Sequence, residues 1–247
     1  MMPTDGPSDP TDPRRSGRGE GALLVEVMGP AGAGKTSLVR ALRVLDPDVR
    51  AGLGVGRAAW VPILVARVAR LLPLWLLRSP RGRWFTWNEL KSMSFLDAWL
   101  RAARRRPPGG AVVLDHGPVY RLARLRAFGP PLVRTPSFAR WWRRCLEGWW
   151  GALDLIVHLD APDEVLLERV GARGHWYLSG DGAVEEKVGF LHRYRRAFDE
   201  TMSDAGRGGP TVLRIRSDRA APEAIAAQVL RELRGPSAEA RTGASRR

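Results

Sequence analysis

The sequence predicts an α/β protein organised as a doubly wound parallel sheet in three layers (α/β/α). Two observations carry that prediction. Apolar runs suited to buried strands recur between helical stretches, the alternation expected of a parallel sheet covered on both faces. The first of these runs also leads directly into a glycine loop and a helix.

That first run is Ala22-Leu23-Leu24-Val25-Glu26-Val27-Met28. Next comes Gly29-Pro30-Ala31-Gly32-Ala33-Gly34-Lys35-Thr36, which fits the phosphate-loop pattern G-x-x-x-x-G-K-[ST] at every required position. Leu38, Leu42 and Leu45 follow at the spacing of a buried helix face. Glycines let successive N–H groups turn inward into an anion nest, and the helix start adds unpaired donors and the positive end of its dipole. The candidate nucleotide-binding residues are therefore Gly29, Pro30, Ala31, Gly32, Ala33, Gly34, Lys35, Thr36 and Ser37. Lys35 is placed to reach the β- and γ-phosphates of ATP, and the Thr36 hydroxyl to ligate Mg²⁺.

Further strands are expected at Ala111 to Leu114, Leu155 to Leu159 and Thr211 to Ile215, with a weaker one near Val49 to Val55. A final helix begins at Pro222 and places Ile225, Val229 and Leu233 on one face. Trp141, Trp142, Trp149 and Trp150 repeat in pairs along Pro136 to Gly151, as on a helix with an aromatic face that joins a core or an interface. The other Trp-rich stretch, Trp84 to Trp99, falls within residues 56–107, which we assign to a helical insertion on the substrate side. Residues 1–20 and 235–247 read as disordered tails around a domain at 21–234.

Composition excludes several classes of function. The net charge of +14 suggests nucleic acid, but only Lys35, Lys91 and Lys187 are lysines and the arginines form no single basic block. Phosphate-rich small ligands fit this distribution better than nucleic acid as the primary partner. Cys145 is the only cysteine, and the four histidines lack metal-ligand spacing, so neither a disulfide framework nor a thiolate metal cluster is expected. No apolar signal region precedes the domain, which points to a cytoplasmic location. Ala58 to Leu77 is long and apolar enough to span a membrane, but it contains Arg67, Arg70, Pro62 and Pro73. A mid-bilayer arginine costs roughly 2.5 kcal/mol or more. Arg67 and Arg70 share a face, as in an amphipathic helix lying over a core, across a cleft or against a membrane surface.

Two further signals carry chemistry. Asp115 follows the run Ala111 to Leu114 and precedes His116-Gly117-Pro118. An acid at the carboxyl end of a parallel strand lies near the ligand crevice, where it can hold Mg²⁺ or accept a proton from an attacking hydroxyl; it can equally cap the turn. In Leu159 to Arg173, Pro162 opens a helix that places Arg169 and Arg173 one turn apart. Neither arginine has an acid three or four residues before it, and a planar guanidinium suits phosphate.

These three segments occur in the order seen in nucleoside-monophosphate kinase-like P-loop proteins, and the chain resembles thymidylate and deoxynucleoside kinases over roughly residues 22–234. The resemblance implies transfer of the γ-phosphate of ATP, with Mg²⁺, to a small-molecule acceptor such as a nucleotide or nucleoside. Lys35, Asp115, Arg169 and Arg173 would be the catalytic residues, Thr36 and Asp115 the metal ligands, and 174–182 a lid loop. The family carries an arginine directly after the acid, whereas this chain has His116, with Arg121 and Arg124 as substitutes nearby. A homodimer and peripheral membrane contact are further expectations. The alternative is a nucleotide-dependent ATPase switch for a protein or membrane partner. The absence of an Asn-Lys-x-Asp guanine-reading motif favours ATP over GTP.

Overall fold

The computed structural model describes residues 21–78, 85–106, 108–172, 184–204 and 209–235. The tails expected at 1–20 and 235–247 (Gly235 apart), the lid loop at 174–182 and Arg173 lie outside the described residues.

Five strands, β1 (Leu23–Met28), β2 (Val49–Ala51), β3 (Ala111–Asp115), β4 (Leu155–Asp160) and β5 (Thr211–Arg216), form one sheet in the order β2-β3-β1-β4-β5. Every pair is parallel. β1 takes the centre, and apart from Glu26 its run is apolar on both faces, as suits a strand covered on both sides. β2 is shorter than the stretch expected at Val49 to Val55. Gly52 and Gly54 adopt φ of 76° and 61°, which ends the extended backbone at Ala51.

The helices are α1 (Lys35–Leu45), α2 (Arg57–Arg78), α3 (Trp87–Arg104), α4 (Pro118–Phe128), α5 (Pro136–Trp150), α6 (Asp163–Gly171), α7 (Val184–Asp204) and α8 (Pro222–Arg234). Alternate residues of each strand face opposite layers. Val25 and Val27 of β1, with Leu155 and Val157 of β4, meet Leu38 and Leu42 of α1 and Ile225, Val229 and Leu233 of α8. Leu45, grouped with Leu38 and Leu42 by spacing, closes α1 and is 47 % exposed. The buried stripe ends one turn earlier, where Asp46 turns the chain away towards β2.

On the opposite face, Leu24, Met28 and Ile156 meet α3, α4, α5 and α7. The aromatic face of α5 is core: Trp142, Trp149 and Trp150 are buried, and Trp142 Nε1 donates to the Leu122 carbonyl at 3.1 Å. The insertion consists of α2 and α3 packed on each other, with Leu64, Leu90 and Met93 in a third cluster. α3 starts at a reciprocal capping box between Thr86 and Glu89. Arg67 and Arg70, assigned to one face by spacing, separate here. Arg67 turns inward to pair with Asp97 over the Trp141 ring, and Arg70 is exposed. Among the described residues no helix is long and apolar enough to cross a membrane.

The strand order changes direction at β1. The chain runs β1, β2, β3 on one side and then crosses to β4 and β5 on the other. Such a switch point opens a crevice at the carboxyl ends of the strands, and ligands of open parallel sheets bind there. Met28, Asp115 and Asp160 end the strands around it.

Candidate functional site

The loop leaving β1 has the geometry its glycines require. Gly29 has a φ of 147°, and a Cβ there would lie 2.1 Å from the Leu159 carbonyl oxygen, so the loop packs directly on the end of β4. Gly34 stands at the N-cap of α1 with φ 86°, a left-handed conformation that a side chain strains. Because this cap has no side chain, the first N–H groups of α1 face the crevice. Lys35 is buried, and its Nζ donates to the carbonyls of Gly29 and Pro30 at 2.9 and 2.8 Å. The ammonium is thus held across the mouth of the loop, 5.8 Å from the centre of the Tyr120 ring.

Asp115 ends β3 opposite Val27 in register, and the Thr36 hydroxyl donates to its Oδ2 at 3.1 Å. Two residues separated by 79 positions are thereby joined at the strand ends. Nδ1 of His116 approaches Asp115 Oδ1 to 2.9 Å, but off the line of a hydrogen bond, leaving this buried oxygen without an aligned donor. Burial works against charge on Asp115. The adjacent His116, the ammonium of Lys35 and the Thr36 hydroxyl outweigh it and hold the carboxyl below its ordinary value. His116 has a φ of 55°, the only positive value outside glycine among the described residues. The chain therefore turns sharply after the acid.

Asp115 does not cap α4, although its sequence context allowed that reading. The cap is Glu26, at the middle of β1. Pro118 opens α4 without an N–H, so Val119 and Tyr120 carry its first free donors, and both donate to the Glu26 carboxylate at 2.9 and 2.8 Å. Gly117 is required by space, because a Cβ there would lie 2.7 Å from Glu26 Cδ. Glu26 is fully buried, and desolvation raises its pKa to about 7 against the two N–H bonds and the charge of Arg121. Its one signal in the sequence was an acid inside an otherwise apolar strand.

The shift has a measurable consequence. A raised folded-state value makes the neutral form stabilising below pH 4.5, and this contribution is lost as pH rises through about 7. Glu26→Gln should abolish that component. The stability of the native protein relative to the variant should fall by about 2.5 kcal/mol between pH 5 and pH 8, read from urea unfolding. A constant difference over that range would contradict the assignment.

Arg121, on the first turns of α4, donates from Nε to the His116 carbonyl at 3.0 Å and from an Nη to Ser92 of α3 at 2.7 Å. Its guanidinium lies 4.9 Å from the Trp99 ring centre. No acid among the described residues lies within ion-pair distance of it. Burial lowers its pKa, opposed in part by Tyr120 and Glu26.

On the other side of the crevice, Arg169 of α6 donates to the Gly32 carbonyl at 3.4 Å and to Ser217 Oγ and O, each at 3.2 Å. It ties the phosphate loop to the segment after β5, and its partners there are neutral. Arg195 of α7 braces the same region, with Nε 3.0 Å from Asp160 Oδ2, an Nη 2.8 Å from the Ala161 carbonyl and an ion pair to Asp163. Ser217 and Arg195 carry no motif in the sequence, because their roles arise only from contact.

The structure thus brings together Lys35, Thr36, Asp115 and, across the loop, Arg169. No family model and no curated protein matches the chain. Solved structures similar to it include shikimate kinase from Acinetobacter baumannii in complex with shikimate, at a TM-score of 0.47 and 15% identity over 87% of this chain and 94% of that one. Another is the YorR protein from Bacillus subtilis in complex with phosphorylated GDP, at a TM-score of 0.47 and 17% identity over 86% of this chain and 97% of that one. The chemistry of the site is read from this chain's own residues.

Those residues fit a magnesium ion. Thr36 Oγ1 and the two Asp115 oxygens are hard donors at the phosphate loop, one of them buried without an aligned donor. Mg²⁺ is commonly held by one or two such protein oxygens and completes its shell with water and substrate phosphate.

Proposed function

We propose that the protein is an ATP-dependent phosphotransferase of the nucleoside-monophosphate kinase-like type, acting on a small-molecule hydroxyl or phosphate acceptor. The observation that carries this reading is the Thr36–Asp115 hydrogen bond, which sets the strand-end acid against the phosphate loop. An acid held there can serve the magnesium of a bound nucleotide and also take a proton from an acceptor, the second role being the one a phosphotransferase adds.

The roles follow from position. The N–H groups of the loop and the start of α1 cradle the phosphates of ATP, and Lys35 exchanges its bonds to Gly29 and Pro30 for phosphate oxygens. Thr36 and Asp115 would hold a magnesium ion, which would neutralise charge on the β- and γ-phosphates. An acceptor oxygen forms its bond to the γ-phosphorus while the bond to the β–γ bridging oxygen breaks, releasing ADP. Asp115 is the group at the crevice positioned to take the acceptor proton where the acceptor is a hydroxyl. Arg121 supplies positive charge on the acceptor side, in place of the arginine that the resemblance leads one to expect at position 116. Arg169, with Arg173 beyond it, serves the donor side.

An ATP-consumption screen over nucleosides, nucleoside monophosphates and other hydroxylated metabolites tests the reading. ADP release that depends on one acceptor class is the expected result. Slow ATP hydrolysis that no acceptor accelerates would replace the kinase with a nucleotide switch.

A further inference from the structure

We propose that the outward face of α2 docks on an anionic phospholipid surface. The inference does not depend on the phosphotransferase reading. α2 is 22 residues long, or about 33 Å at 1.5 Å per residue. One side packs on α3 through Trp60, Leu64 and Val68, with the Trp60 ring 4.6 Å from Phe95. Over residues 57–70 the opposite side is apolar and not covered by any described residue: Ala58, Pro62, Ala66 and Ala69 are exposed, and Val61 and Val65 are 38 % and 62 % exposed.

The charges select the occupant. From Val49 to Asn88 the chain has seven arginines and no acid. Arg67 is accounted for inside the hairpin by Asp97, whereas Arg57 and Arg70 are exposed beside the apolar strip. At the end of the hairpin where α3 begins, Trp87 is 58 % exposed. An apolar strip bordered by arginines with an exposed tryptophan matches the requirements of a helix lying in a bilayer interface. A second copy of the chain fits poorly. A two-fold contact would set the acid-free α2 of one copy against that of the other, bringing arginines together without counter-charge in a protein of net charge +14. Anionic headgroups provide that counter-charge.

The test is co-sedimentation of the full chain with phosphatidylglycerol-containing vesicles and, separately, with purely phosphatidylcholine vesicles. Binding to the first and at least about tenfold weaker binding to the second is expected. Arg57→Gln/Arg70→Gln should weaken the anionic binding by about thirtyfold, and Val61→Glu/Val65→Glu should abolish it. All four positions are exposed, so unfolding midpoints close to the parent's should accompany these losses. Should the glutamate pair unfold, the arginine pair alone decides. The proposal is overturned by no sedimentation with anionic vesicles, by equal binding to both vesicle types, by unchanged binding of the arginine variant, or by a dimer that the glutamate pair dissociates.

Discussion

Lys35→Ala is expected to lower turnover by about 100- to 1,000-fold and to weaken ATP binding. The ammonium is already positioned in the folded protein. It is buried at the first residue of α1, and two loop carbonyls hold it above the cradle. Moving from those carbonyls to phosphate oxygens requires little rearrangement, so its charge acts where the transferred group becomes more negative. Alanine leaves the N–H cradle intact and removes the one cation the loop itself carries. ATP affinity measured by titration calorimetry and turnover measured with the acceptor found by screening report the two effects separately. Activity equal to the parent's would sink the phosphotransferase assignment.

The second large effect concerns Asp115. The Asn variant keeps the shape and can still accept the Thr36 hydroxyl bond. It loses the negative charge, which the native site maintains by holding the carboxyl below its ordinary value. Turnover should fall by about 100-fold or more, as for loss of a general base. If Asp115 acts chiefly on the acceptor proton, ATP·Mg²⁺ affinity stays near the parent's. If it acts chiefly on the metal, the Mg²⁺ concentration needed for half-maximal activity rises in step with the loss. An Asn variant with parental turnover and parental magnesium dependence would remove Asp115 from the site.

These residues differ in how legible they were before the fold was known. The phosphate loop is local chemistry: strand, glycines and helix start are contiguous, so its spacing predicts its shape, and Gly29 and Gly34 adopt positive φ as such a loop requires. The parallel sheet was legible for the same reason, since each run is short and largely apolar and each lies within a residue of the observed strand. β2 is the exception. It is an edge strand of three residues, where packing contributes little and two glycines decide the end. The buried role of Trp142, Trp149 and Trp150 was legible as an aromatic stripe, although the stripe alone did not separate core from interface.

Asp115 was legible as an acid at a strand end, with two readings open: a cap for the turn or a partner for the phosphate loop. Tertiary contact separates them, because Glu26 from the neighbouring strand takes the capping bonds and leaves Asp115 to Thr36. No local pattern could show this, since the two strands are brought side by side only by the sheet. Arg169 is similar. Its lack of a local acid was visible, but its bonds to Gly32 and Ser217 join three segments distant along the chain.

By itself, then, the sequence determined the elements and the identity of the phosphate cradle, because both depend on spacings of a few residues. The tertiary structure decided which acid caps and which faces the loop, which arginine of α2 is neutralised and which remains exposed, and how Arg121 comes to meet Ser92 and the Trp99 ring of α3. Each of these is a choice of partner across tens of residues, made by the packing of strands and helices that spacing along the chain does not encode.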